Sequence, residues 1–296
     1  DAQNGVKAMF ADETFVSAVA EKGYSLSSAN SINFGRLAPQ IAYYFGAYAQ
    51  LVSMGEIAEG EPINFVVPTG NFGNILAGYY AKRMGLPVAR LICASNRNNV
   101  LTDFFHSGEY SLKRPFYKTM SPSMDILISS NLERLLFELT GRDPHMVAAM
   151  MKQLRETGAY DIGETARHAL EADFWADWCS EEETTACIRK TFETKGYLLD
   201  THTAVAAGVY EKYRKMGDAT KTVIVSTASP YKFSQDVLAS LGESTDGMDA
   251  FALSRRLSAK TGMRLPRQIE ELESKPVRHK TVVERSGMRE AVLEAL

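Results

Sequence analysis

An α/β fold built on an open parallel sheet flanked by helices is predicted by three observations. An apolar run, Ile63 to Val67, breaks into the loop P-T-G-N-F-G-N at 68–74 and resumes as a helical pattern to about residue 84. A second short apolar run, Val88 to Ala94, follows the helix-ending G-L-P at 85–87, completing a β-α-β unit that calls for parallel pairing. The succession returns at Gly196 to Leu199, the helical pattern Ala204 to Lys215 and the strand pattern Thr222 to Val225.

The other elements follow in chain order. Residues 3 to 22 carry apolar positions at helical spacing, broken near Asp12 and closed by Gly23, which predicts two short helices. A polar patch, Ser25 to Arg36, precedes a helix on which Leu37, Ile41, Tyr44, Tyr48 and Leu51 share a face, ending near Met54. Residues 103 to 195 show no clear strand pattern. Helical spacing at Asn131 to Leu139 and Met146 to Leu154, and aromatic and acidic residues around Phe174 to Trp178, predict a mainly helical insertion there. The tail from Met248 mixes charged helical pieces with Pro266 and Pro276 and is expected to wrap the surface. Neither repeats nor low-complexity tracts occur.

Composition narrows the function classes. The chain has 296 residues, 45% apolar and 23% charged, enough for one large domain or two ordinary ones. Its 33 basic and 36 acidic residues give a net charge of −3, which leaves no electrostatic footprint for nucleic acid or anionic lipid and points to a small-molecule partner. No apolar run approaches the roughly 20 residues of a membrane span. Cys93, Cys179 and Cys187 are scattered without metal-site spacing, as expected of reduced structural thiols in a cytoplasmic protein. No metal site is expected. The chain begins at Asp1 without an initiating Met, and is expected to be part of something longer.

Three clusters are candidate sites. In the loop, Gly70 and Gly73 let the backbone turn sharply and approach a ligand closely. The helix that follows offers unpaired N–H groups and a positive dipole end, a natural phosphate seat to which Thr69, Asn71 and Asn74 add uncharged donors. The spacing fits neither G-x-x-x-x-G-K-[ST] nor G-x-G-x-x-G. A plain strand-to-helix turn that needs glycine for shape explains the same residues. Asn30, Ser31, Asn33 and Arg36 crowd the start of the next-upstream helix. One Asn or Ser there is a cap, but four polar groups with an arginine exceed a cap's needs and fit a second anion site. S-T-A-S-P-Y-K-F, Ser226 to Phe233, sits beyond the carboxyl end of a predicted strand, where parallel sheets bind ligands. D-T-H-T-A, Asp200 to Ala204, falls in a similar place, with His202 either a site residue or a capping neighbour, and Lys232 carries no assigned role.

Taken together, N-S-I-N-F-G-R, V-P-T-G-N-F-G-N-I-L-A-G-Y-Y-A-K-R-M-G-L-P, S-P-S-M-D-I-L-I-S-S-N-L-E-R-L-L-F, D-T-H-T-A, S-T-A-S-P-Y-K-F and V-R-H-K-T-V-V resemble the threonine synthase family, in order and over essentially the whole chain. The resemblance implies a fold type II pyridoxal-phosphate enzyme that converts O-phospho-L-homoserine and water to L-threonine and phosphate. It implies that Gly70, Asn71, Phe72, Gly73 and Asn74 hold the phosphate of pyridoxal 5′-phosphate and that Thr227 faces the pyridine nitrogen. It assigns Asn30, Ser31, Asn33 and Arg36 to the substrate phosphate.

One family feature is missing. The Schiff-base lysine of an F-K-D motif, and an S-G-D-T-G motif, lie upstream of the matching stretch; Lys7, Lys22, Lys82 and Lys232 lack that context. The resemblance therefore implies that residues 1–28 end a smaller mobile domain, that 29–296 form the large cofactor-binding domain with a helical insertion at about 103–195, and that the lysine comes from the upstream part of the same enzyme. This chain alone is expected to be inactive. Alternatives are a related phospho-lyase of the same fold and a non-catalytic phosphate-ligand binding remnant.

Overall fold

A computed structural model describes all residues except 1, 29, 31 and 32, with nothing described of the side chains of 2–4 and 7. The described residues divide into two compact units, 1–30 with 271–296, and 31–270. The tail beyond 271 thus groups with the amino-terminal residues rather than with the large unit.

In the first unit, α1 (Ala2–Phe10) and α2 (Glu13–Glu21) are separated at Asp12, whose carboxylate accepts from the Phe15 N–H at 3.0 Å as the cap of α2. Met9, Phe15 and Val19 are buried against Leu26, Met288, Val292 and Leu293.

The second unit begins with α3 (Phe34–Ser53), then β1 (Ile63–Pro68), α4 (Gly73–Arg83), β2 (Val88–Ser95) and α5 (Val100–Ser107). A short strand β3 (Glu109–Ser111) is followed by α6 (Leu132–Leu139), α7 (Pro144–Thr157), β4 (Ala159–Asp161), α8 (Gly163–Asp173) and β5 (Phe174–Trp178). Next come α9 (Glu181–Lys195), α10 (Thr201–Arg214), β6 (Thr222–Ile224), α11 (Ser234–Ser240), α12 (Ala250–Thr261) and α13 (Arg267–Leu272). In the tail, α14 (Met288–Ala295) packs on α2 in the first unit.

The main sheet runs β5-β2-β1-β6, and every pairing is parallel. All carboxyl ends therefore open on one edge, where the β1–α4 loop and residues 225–228 emerge together. Both faces are covered. Ile63, Phe65 and Val67 of β1 with Leu91 and Cys93 of β2 pack on the side of α3, α4 and α5. The alternate residues Val66, Ile92 and Ala94 face Val205, Ala206 and Val209 of α10. This period-2 division of a mostly apolar run is what a doubly covered parallel strand demands. A Cβ on Gly78 would stand 2.7 Å from the Tyr44 ring, so glycine lets α3 and α4 close on one another.

Two sequence expectations are corrected. The stretch Phe174 to Trp178, expected within helices, is the edge strand β5, paired Leu91↔Phe174 through Ser95↔Trp178. Its alternation decides: Phe174 and Ala176 enter the α4/α5 core while Trp175 packs on Tyr213 with ring centroids 5.0 Å apart. Residues 103–195 are mainly helical, but they also contribute β5 to the main sheet and contain the antiparallel pair β3–β4. Gly196 to Leu199, expected as a strand, pairs with no strand among the described residues. Leu198 and Leu199 are apolar because they fill the core between α9 and α11, beside Ile188, Val237 and Leu238. The tail likewise does more than cover the surface, since Leu253 and Leu257 of α12 are buried in that same core.

Candidate functional site

The loop 68–74 turns from β1 into α4 through one residue in the left-handed region, and that residue is Phe72 at φ 65°, not Gly70 or Gly73. A non-glycine residue there is uncommon and costs about 1–3 kcal/mol unless its surroundings hold it. Burial holds it: Phe72 is 1% exposed, with its ring 6.2 Å from both Phe105 and Phe174. The missed strand β5 is thus one wall of the anchor.

The two glycines have different jobs. A Cβ on Gly70 would lie 2.8 Å from the Ser123 carbonyl oxygen and 3.1 Å from Met124 Cα, so glycine lets the turn at Pro122–Met124 press against the loop. A Cβ on Gly73 would meet only Asn131 Nδ2, at 3.5 Å, and so would enter open space at the helix start.

Loop carbonyls and amides are used unequally. The Gly70 carbonyl accepts from Ser129 Oγ at 2.7 Å, and the Asn71 carbonyl from both the N–H and Nδ2 of Asn131, at 3.1 and 2.9 Å. The Phe72 carbonyl accepts the first α4 bond, from Leu76, and the Tyr44 hydroxyl donates to the Asn74 carbonyl at 2.9 Å. Among the described residues, the N–H groups of residues 70–75 meet no acceptor. That is an anion cradle: successive donors at the positive end of a helix. The Thr69 hydroxyl does not join it, because it donates to the Val67 carbonyl at 2.7 Å.

The cradle opens into a cavity of about 750 Å³. Arg36, Tyr44, Ser123, His202, Thr227 and Lys232 line it with the loop, so the glycine loop, the D-T-H-T-A start and the S-T-A-S-P-Y-K-F segment share one space. Among the described residues its charged lining is Arg36 and Lys232, with no carboxylate. A groove of similar volume between α9 and α10 lacks any such loop and carries Glu183 and Glu211 beside its lysines.

Of the four residues expected to grip a second anion, Arg36 lines the cavity from the first turn of α3. Asn33 is the α3 cap, its side-chain oxygen accepting from the Gly35 N–H at 2.8 Å. Asn30 is exposed and closes the first unit, and Ser31 lies outside the described residues.

His202 is buried, lines the cavity and also neighbours the α10 cap. Its Nε2 accepts from the Ser123 N–H at 3.1 Å, and its Nδ1 lies 3.4 Å from Asp200. Asp200 caps α10 through the N–H groups of His202 and Thr203. Burial opposes its ionisation, but the hydrogen bonds from His202 and Thr203 outweigh that, leaving its carboxyl below the usual range. Thr203 Oγ1 accepts from the Thr227 N–H at 3.4 Å, which ties the 226–228 segment to the same helix start.

Sequence reasoning missed a second support. Asn96 and Asn98, beyond β2, donate to Asp125 at 2.9 Å each, and Asn96 also reaches Thr119 and Ser121. This fixes the 119–125 segment that packs on Gly70. The N-R-N run gave the available signal: three polar residues directly after a buried strand need partners. Burial pushes the thiols of Cys93 and Cys179 up to about 12, as befits structural groups.

An open parallel α/β sheet with acceptor-free helix-start amides at its carboxyl edge is an architecture suited to phosphate ligands, and comparison with known proteins narrows the class. The chain matches the family model "Threonine synthase, C-terminal" over residues 203–292. It is 47% identical to threonine synthase-like 1 of Macaca fascicularis over 242 residues, covering 81% of this chain and 32% of that protein. It is 40% identical to threonine synthase of Pseudomonas aeruginosa over 237 residues, covering 80% and 48% respectively. The crystal structure of pyridoxal-phosphate-bound threonine synthase from Brucella melitensis superposes with a TM-score of 0.81 at 38% identity, covering 99% of this chain and 56% of that one. By sequence and fold the chain belongs to the threonine synthase family, and it spans a third to about half of the length of these relatives.

Proposed function

We propose that this chain provides the phosphate cradle and much of the substrate pocket of a pyridoxal-phosphate-dependent threonine synthase, acting on O-phospho-L-homoserine. The observation that carries the reading is the run of N–H groups at 70–75, without acceptors among the described residues, on a loop whose residues 70–74 line a cavity where the charged groups are Arg36 and Lys232. The cradle fits a phosphate monoester, because the space beside Gly73, where a Cβ would meet only Asn131 Nδ2 at 3.5 Å, is left open at the helix start. Pyridoxal 5′-phosphate, when bound, supplies the electron sink that allows a substrate carbon to lose a proton.

The residues of this chain divide the remaining work. Gly70, Asn71, Phe72, Gly73 and Asn74 hold the cofactor phosphate through main-chain donors. Thr227, fixed by Thr203, presents a neutral hydroxyl to the ring nitrogen and so leaves it without a full added charge. Arg36, with Asn30, Ser31 and Asn33 nearby in sequence, takes the phosphate of the substrate through charge-assisted hydrogen bonds. Lys232 adds a second positive charge to the cavity, which favours a dianionic ligand.

Residues 1–28 serve in this reading as the end of a smaller mobile domain, and the proton-transferring lysine comes from the upstream part of the enzyme. A cytoplasmic location suits the three free thiols. No helix among the described residues is long and apolar enough to cross a membrane. The test is phosphate release from O-phospho-L-homoserine, with pyridoxal phosphate present. The chain joined to a lysine-bearing upstream segment should turn over at an ordinary enzymatic rate, ~1 to 1000 per second, whereas the purified chain alone should release none. Turnover by the chain alone would overturn the role given to the upstream lysine.

A further inference from the structure

We propose that Asn131, assisted by Ser129, is a positioning residue that aims the amides of the cradle. The inference rests on the phosphate reading of the loop. It concerns the segment S-S-N at 129–131, which touches the loop from the side of α6.

A trans peptide points its C=O and its N–H in opposite directions, so fixing a carbonyl also fixes the next amide. Ser129 Oγ donates to the Gly70 carbonyl at 2.7 Å, which sets the 70–71 peptide plane and sends the Asn71 N–H away from the S-S-N segment. Asn131 donates twice to the Asn71 carbonyl, from its main-chain N–H at 3.1 Å and from Nδ2 at 2.9 Å, and so sets the 71–72 plane and the Phe72 N–H in the same sense. Two consecutive amides are thereby turned to one side, beside the strained Phe72 backbone.

The clamp is itself rigid. Asn131 is fully buried, and its Oδ1 accepts from Arg134 at 3.0 Å, which leaves Nδ2 directed at the loop. The Ser129 N–H donates to the Tyr110 hydroxyl at 2.9 Å, and that hydroxyl donates to the Leu127 carbonyl at 2.8 Å. Both residues that donate to the loop are thus held by a further hydrogen bond. Asn131 Nδ2 also stands 3.5 Å from where a Cβ of Gly73 would sit, so the side chain borders the space that the phosphate would take.

Calorimetry with pyridoxamine 5′-phosphate and with pyridoxamine separates positioning from general stability. Neither probe forms an imine with surface lysines, and the two differ only by the phosphate. The parent chain should bind the phosphorylated probe at least tenfold more tightly. Asn131→Ala and Asn131→Asp should each lose most of that ratio, with Ser129→Ala losing part of it, while the affinity for pyridoxamine stays within about twofold. Ser129→Ala deletes only a hydroxyl and keeps the proposal testable if the Asn131 variants do not fold. A parent that prefers neither probe overturns the phosphate reading of the loop. A parent that keeps the preference while folded Asn131 variants, or Ser129→Ala, keep it in full overturns the positioning role alone.

Discussion

Replacing each loop glycine by alanine should damage two different properties of the protein. At Gly73 the backbone is not in the left-handed region, and the new methyl would meet only Asn131 Nδ2 at an ordinary 3.5 Å. Folding therefore has nothing to lose, and the reduced freedom of the unfolded chain can add up to about 1 kcal/mol of stability. The same methyl projects into the cradle and displaces a phosphate oxygen from its donors. Losing one hydrogen bond to a charged group costs about 1.5 to 3 kcal/mol, or roughly ten- to a hundredfold in affinity. At Gly70 the order reverses, because the methyl would press to 2.8 Å on the Ser123 carbonyl, and backbone cannot swing aside. Overpacking of this kind costs about 1 to 3 kcal/mol. The assay is thermal melting of each variant with and without pyridoxamine 5′-phosphate, since a ligand at 100 times its Kd adds about 2.7 kcal/mol. Gly73→Ala should melt at or above the parent and lose the ligand-dependent rise; Gly70→Ala should melt lower even without ligand. If Gly73→Ala melts well below the parent yet keeps the full rise, the loop is a structural turn and the cradle argument fails.

Further outcomes follow from the same geometry. In the complete enzyme, Arg36→Ala should raise KM for O-phospho-L-homoserine by about ten- to a hundredfold, the worth of one charge-assisted contact, with cofactor affinity nearly unchanged; equal losses in both would place Arg36 elsewhere. His202→Phe removes the acceptor of the Ser123 N–H and should loosen the 122–124 turn, detected as faster amide exchange at Ser123, whereas His202→Gln keeps an acceptor and should restore protection; identical exchange in both would show that the bond at 3.1 Å does not hold the turn. Asp200 has its folded pKa below the unfolded value near 3.9, so its stabilisation is complete above about pH 4 to 5 and drains as pH falls toward the lowered folded value. Acid unfolding of Asp200→Asn should accordingly be shallower in that window, while an unchanged acid slope would exclude Asp200 as a source of acid lability.

Much of the sheet was legible because its central strands announce themselves. Ile63 to Val67 and Val88 to Ala94 are mostly apolar, broken only by Asn64 and Arg90, as burial on both faces requires, with Gly60 and Gly70 flanking the first run and Gly85 preceding the second. Edge elements were not. In E-A-D-F-W-A-D-W the helix α8 passes into β5 with no turn residue, so the aromatic alternation of Phe174 to Trp178 looked like more helix. Leu198 and Leu199 carried the converse error, since burial between helices gives the same apolar signal as a strand. The glycine loop was legible as a candidate anion seat, but the division of labour within it was not. Positive φ at Phe72 is imposed by tertiary packing against Phe105 and Phe174, and nothing local in P-T-G-N-F-G-N reveals it. The same holds for His202, whose role depends on Ser123, 79 residues away.

The central claim is that the N–H groups at the start of α4 receive a phosphate. A crystal structure of this chain with pyridoxamine 5′-phosphate tests it most directly. The account predicts the phosphate at the amides of residues 71–75, beside Gly73, with the pyridine ring directed into the cavity toward Thr227. Phosphate bound instead at the start of α3 or in the groove between α9 and α10, with the loop amides facing solvent, would contradict it.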